Sequence, residues 1–217
     1  MVRTGRRATV LRTLLTRAGL RPAPAPPAPR LTHLPAAAVR ELGTVYAGLG
    51  GALPMPPLRP GAWDLAFADG LVVELDEELH FNRYRAETLR GIANHGYPWH
   101  ADYLDHCVRY ERRCLAAGRW GRRWTSRSSE AMFGPAGPVG DLDGAGAPRW
   151  KQRALYDAVK DRAAAVAPAI REARVAVWDS IGGTLLGDAL DGKAVLDPEP
   201  LAAFLAQRTM ATMGGRA

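Results

Sequence analysis

The sequence predicts an α/β domain: a small sheet flanked by helices, with a basic N-terminal arm and additional helices. Three observations carry that expectation. The runs Trp63–Phe67 and Leu71–Leu75 are apolar, rich in β-forming residues and separated by the turn signal Ala68-Asp69-Gly70, which predicts a β-hairpin. Stretches with helical apolar spacing follow it at Asn82–Asn94, Trp99–Ala117 and Arg149–Val166. The segment Arg174–Trp178 (RVAVW) is then short, apolar and β-branched enough to join the hairpin in a sheet.

Taken in order, residues 1–30 hold Arg3, Arg6, Arg7, Arg12, Arg17, Arg21 and Arg30 and no acidic residue, so this arm alone matches the net charge of +7. Arg6–Leu20 carries a helical apolar pattern through Val10, Leu11, Leu14, Leu15 and Ala18. Pro22–Pro29 (PAPAPPAP) then predicts a stiff extended linker. Residues 1–30 are therefore expected to be flexible, residues 31–197 to form the folded domain and residues 198–217 a C-terminal helix and tail. An Arg-rich, acid-free N-terminus has two further readings: it resembles an organelle transit peptide, or it contacts phosphates. Pro35–Leu49 reads as a helix, 50–61 as a Pro/Gly-rich loop, 62–79 as the hairpin, Gly134–Pro148 as a Gly/Pro-rich loop and Pro200–Met210 as a helix.

A chain of 217 residues, 47% hydrophobic and 24% charged, can bury one sizeable core, and no apolar run is long enough to span a bilayer. A membrane partner is not expected. Cys107 and Cys114 lie two helical turns apart, too far to bridge each other, which suits a reducing cytoplasm. The spacing of His95, His100 and His106 with these cysteines fits none of the usual zinc patterns.

The hairpin concentrates the potential chemistry, and its loop length decides what forms. With a two-residue turn at Asp69-Gly70, Leu65 opposes Glu74, Asp64 faces the other side and no site forms. With a three-residue loop, a type I turn with Gly70 left-handed and a bulge, Asp64 comes opposite Glu74 and shares a face with Glu74 and Asp76. Crowded carboxylates repel one another, and solvent, protonation or a cation must relieve them. An oxygen-only set suits Mg2+ or Mn2+, which together with a bound water is the usual equipment for phosphodiester hydrolysis. His80 is then the candidate for proton transfer. The bland alternative is that acidic residues such as Glu77 and Glu78 merely solvate a strand end.

Asp64-Leu65-Ala66 followed by Val73-Glu74-Leu75-Asp76-Glu77-Glu78-Leu79-His80 resembles the pattern D-x-A-x-P…V-x-E-x-D-G-x-x-H. That pattern belongs to the PD-(D/E)XK nuclease superfamily, in the branch related to very short patch repair endonucleases, and the match is limited to residues 62–85. The resemblance implies a restriction-endonuclease-like sheet flanked by helices, Asp64 and Glu74 as metal ligands, and Asp76 and His80 as further active-site residues. Glu77 departs from the usual Gly, and Asp76 stands where the superfamily usually has Lys. Gln152 and Tyr156 have the Q-x-x-x-Y spacing of an accessory motif in RecB-type nucleases, with Lys151 and Lys160 as neighbouring cations; the same residues also suit an ordinary amphipathic helix.

Arg83 and Arg85 open the helix after the hairpin. Arg109, Arg112, Arg113, Arg119, Arg122, Arg123 and Arg127 interleave with Tyr110, Trp120 and Trp124. Arginine for phosphates with aromatic faces for bases is a nucleic-acid-binding composition; a basic helix end whose tryptophans anchor the core has the same composition. The expected function is a metal-dependent endonuclease acting on DNA, with RNA also open as a partner. The alternative is a catalytically inactive nucleic-acid-binding or protein-interaction domain of the same fold.

Overall fold

The computed structural model describes residues 5–118 and 124–210. It is a mixed α/β structure. Its elements run α1 (Arg6–Arg17), α2 (Ala36–Gly48), β1 (Leu65–Ala66), β2 (Leu71–Asp76), α3 (Arg83–Gly91), α4 (His100–Gly118), α5 (Arg127–Phe133), α6 (Pro148–Val166), β3 (Arg171–Ala176), β4 (Ser180–Ile181), β5 (Thr184–Leu185), α7 (Leu186–Leu190) and α8 (Pro198–Arg208), with short 3-10 turns between some of them. Among the described residues no helix is long and apolar enough to cross a membrane. The chain divides into two compact units: residues 1–27, 62–77 and 167–217 form the first, and 28–61 with 78–166 the second. The expected division at residues 30 and 197 is replaced by interleaved segments.

The first unit is built on the sheet β1-β2-β3, in which β1 runs antiparallel and β3 parallel to β2. Alternation along the strands sends Leu71, Val73 and Leu75 of β2 and Ala173 and Val175 of β3 into one apolar core. Helices α1, α7 and α8 supply Leu11, Leu15, Leu186, Leu190, Leu201 and Leu205 to that core. Residues 6–23 of the expected arm are thus packed into the first unit. Leu11 and Leu15 are fully buried, Arg21 and Ala23 hydrogen-bond the hairpin backbone at Ala68 and Ala66, and Arg7 forms a two-pronged pair with Asp191 at 2.8 and 3.0 Å. Its two buried leucines recur at helical spacing, and that stripe holds the arm in place.

The hairpin turn explains the register. The Leu71 N–H donates to the Ala68 carbonyl, and Asp69 (φ 59°) and Gly70 (φ 71°) are both left-handed, as a type I′ turn requires. Phe67, not Ala68, donates to the Leu71 carbonyl, and the Ala68 N–H goes to Arg21 instead. One residue is therefore bulged out of the ladder, and Leu65 pairs with Val73. The expected register holds by a different turn from the one foreseen. Gly70 has a second constraint, since a Cβ there would lie 2.1 Å from the Ala169 carbonyl oxygen.

In the second unit α6 is the central helix, buried on most of its surface, and α2, α3 and α5 pack against it, with α4 against α3. Asn82 starts α3 by accepting hydrogen bonds from the Tyr84 and Arg85 N–H groups, and a Ser126–Ser129 capping box starts α5. Cys107 and Cys114 are free and buried, and burial pushes the Cys114 thiol up to about 12.

Candidate functional site

The second face of the first unit's sheet carries charge. Pairing of Leu65 with Val73 and of Ala66 with Val72 puts Asp64 opposite Glu74. Two reciprocal hydrogen bonds lock them: the Asp64 N–H donates to Glu74 Oε1 at 3.0 Å, and the Leu75 N–H donates to Asp64 Oδ2 at 3.0 Å. Asp76, two residues on, points to the same side as Glu74. The parallel partner β3 places Glu172 beside Val72 and Arg174 beside Glu74, again on this side. Glu74, Asp76, Glu172 and Arg174 are all buried, whereas Asp64 is exposed at the strand entry.

Arg174 organises the cluster. Its Nη1 donates to both carboxylate oxygens of Asp76, at 3.1 and 2.8 Å, and its Nε lies 3.2 Å from Glu172 Oε1. The Arg174 guanidinium thereby ties Asp76 to Glu172 on the buried face that also carries Glu74. Asp64 and Glu74 offer carboxylate oxygens, the donor type that hard divalent cations take. Sequence reading missed Arg174 and Glu172, because a strand beginning at Arg174 with the apolar run VAVW looks like plain core. The available signal was alternation, since Glu172 and Arg174 are two apart in the strand that pairs with Glu74 and Asp76.

His80 belongs to the second unit, in the 3-10 turn Glu78–His80. Its Nδ1 lies 2.9 Å from Asp157 Oδ2 of α6, and the Asp157 carboxylate is nearly buried. The Asp157 carboxylate accepts from Nδ1–H and so orients the ring.

The other predicted residues fall elsewhere, several of them in structural roles. Arg85 is fully buried and pairs with Asp161 at 2.9 Å, so it is a core ion pair and not a phosphate contact. Arg83 is exposed but engaged by Glu111 at 3.1 Å and by Asp143. Trp124 is buried, with its Nε1–H on the Gly137 carbonyl and its ring edge-on to Trp150 at 5.0 Å, which makes it a core anchor rather than a stacking platform. Arg119, Trp120, Arg122 and Arg123 lie outside the described residues.

On α6, Gln152 is buried against Arg149 and the Met132 sulfur, and Tyr156 is half-buried. Lys151 and Lys160 are buried rather than solvated. The Lys151 ammonium sits 5.4 Å from the centre of the Tyr84 ring, and burial lowers its pKa against the raising influence of Glu87. The three histidines considered with the cysteines have separate partners: His95 pairs with Glu41, His100 meets the Leu89 carbonyl, and His106 packs among Phe81, Tyr103 and Tyr110.

The chain belongs to DUF7255, a family of unknown function, over residues 44–192. That span contains the hairpin, β3, His80 and Asp157, and it excludes α1 and α8. No curated protein and no solved structure matches the chain.

Proposed function

We propose that this protein is a magnesium- or manganese-dependent nuclease of the PD-(D/E)XK type that hydrolyses phosphodiester bonds in DNA. The observation that carries this reading is the pairing of Asp64 with Glu74 across the hairpin, with Asp76 on the same face. The motif resemblance over residues 62–85 supports it independently, because it assigns the same residues from spacing alone.

In this reading Asp64 and Glu74 hold the ion. A divalent ion bound there supplies Lewis-acid polarisation of a phosphoryl oxygen and a lower pKa for a water. Arg174 fixes the rotamer of Asp76 through bonds to both its oxygens, so that Asp76 orients the water. Within the second unit His80 is oriented by Asp157, which gives its ring the chemistry of a proton acceptor. The cation that the superfamily usually carries as Lys is supplied by Arg174 from the neighbouring strand.

A second reading has its own observation. Both oxygens of Asp76 accept from Arg174, and the Asp64 and Glu74 carboxylates each accept a backbone N–H, so the same cluster also serves as an internal lock of a non-catalytic nucleic-acid-binding domain. Cleavage of supercoiled plasmid, mismatched duplex and RNA with Mg2+ or Mn2+, beside calorimetry of the metal alone, separates the two. Asp64→Asn and Glu74→Gln are expected to abolish cleavage and metal binding with the fold retained by circular dichroism. His80→Ala is expected to slow cleavage by about 100- to 10,000-fold with metal binding intact. Nucleic-acid binding without cleavage of any substrate would select the second reading, and cleavage unchanged in the carboxylate variants would overturn the assignment.

A further inference from the structure

Two stretches of the second unit, residues 28–32 and 57–61, wall a cavity of about 500 Å³. Its size falls in the range of about 300–1,000 Å³ typical of small-molecule sites. Two arginines, Arg30 and Arg59, line it, and no acidic residue does. Both are exposed, and neither forms an ion pair with a described residue. By contrast, Arg83 is held by Glu111, Arg85 by Asp161, Arg109 by Asp105 and Arg162 by Glu41, so their charges are already met. Two arginines lining one concavity with no acidic residue in its wall leave a positive potential that an anion relieves.

The rest of the wall says which anion. Pro29, Pro57 and the buried Leu58 give it an apolar surface, and Thr32 adds a hydroxyl. Guanidinium forks match the oxygens of a phosphate, and their planes stack on bases, which a lysine pair does not offer. A ligand with a phosphate at one end and a flat, weakly polar ring at the other meets both halves of the cavity. We propose that this groove is a nucleotide site, in which Arg30 and Arg59 clasp the phosphate and the prolines and Leu58 face the base. The nucleotide comes either free or as one unit of a single strand. The site is independent of metal and of phosphodiester cleavage.

The test uses the full chain in EDTA, so that cleavage does not intervene. Binding of a fluorescein-labelled 12-nucleotide single-stranded DNA is followed by anisotropy across salt concentrations, and binding of AMP by calorimetry. The double variant Arg30→Gln/Arg59→Gln is compared with Arg40→Gln/Arg90→Gln, which removes two exposed arginines outside the groove; melting curves check that both fold. Loss of the groove pair is expected to weaken 12-mer binding by about tenfold or more and to lower the salt slope by about two, while the control changes affinity by less than about threefold. AMP that binds with the same arginine dependence and displaces the 12-mer identifies a free-nucleotide site. Arginine-dependent 12-mer binding without AMP binding identifies a strand site. Equal loss in both double variants, binding of neither ligand, or competition by inorganic phosphate as strong as by AMP would each overturn the proposal. Failure of cleavage with this binding intact removes the nuclease reading alone.

Discussion

On one side of the three-stranded sheet Val73, Leu75, Ala173 and Val175 meet leucines from α1, α7 and α8; on the other, across the same backbone, Glu74, Asp76, Glu172 and Arg174 are buried to the same degree. The apolar side is held by non-directional burial, which tolerates swaps that conserve volume. On the charged side the bonds from the Arg174 guanidinium to Asp76 and Glu172 have fixed geometry, and a buried charge that loses a partner is costly to leave unmet. Equal burial therefore means unequal tolerance: sequence change is absorbed on one face and punished on the other. An apolar pair of similar volume would hold the strands as well, so stability alone does not account for the buried charges.

The largest effect expected from this contrast follows Arg174→Met, which leaves Asp76 and Glu172 buried without their cation. Urea denaturation should register a loss of about 3–5 kcal/mol. Millimolar Mg2+ should recover part of it if the carboxylates can take a metal. A loss below about 1 kcal/mol would show that the charged face relaxes as easily as the apolar one.

On the apolar side, Leu11→Ala removes a fully buried side chain from α1 and is expected to cost about 2–5 kcal/mol in the same assay. A cost near zero would return α1 to the status of a loose arm.

The register that brings the charged residues together depends on Asp69 at φ 59°. Asp69→Val should cost about 1–2 kcal/mol, because a β-branched side chain resists the left-handed region, and Asp69→Gly should be neutral or mildly stabilising. A neutral valine variant would mean that the turn has a second conformation of equal stability.

The smallest effect concerns the exposed edge of the first unit. The hydrogen bond from Arg7 draws the Asp191 carboxyl down from its usual 3.8 to about 2. A depressed folded-state pKa contributes stability that is present above pH 3.8 and is lost as pH falls through 2. Arg7→Gln should remove no more than about 1 kcal/mol at neutral pH and flatten the stability profile between pH 4 and 2. An unchanged acid limb in the variant would assign that limb to other carboxylates.

The alignment of Asp64 with Glu74 was legible because it depends on residues within a dozen positions of each other, where turn chemistry and two-residue alternation act locally. The helices at 35–49, 99–117 and 149–166 were legible for the same reason, to within a residue or two of their observed ends. Arg85 and Trp124 were misassigned because an arginine beside a carboxylate motif and a tryptophan beside arginines look alike whether they face solvent or core. Their partners, Asp161 and Trp150, come from a helix far along the chain.

The sequence by itself determined the α/β composition, the positions of the long helices and the sharing of one strand face by Glu74 and Asp76. Each of these follows from short-range periodicity. The tertiary structure alone decided that α1 belongs to the core, that each unit draws on separate segments of the chain, and that Asp76 meets Arg174 across 98 residues of chain. Such pairings are selected by which buried charges and apolar stripes can satisfy one another in three dimensions, and sequence spacing carries no record of that distance.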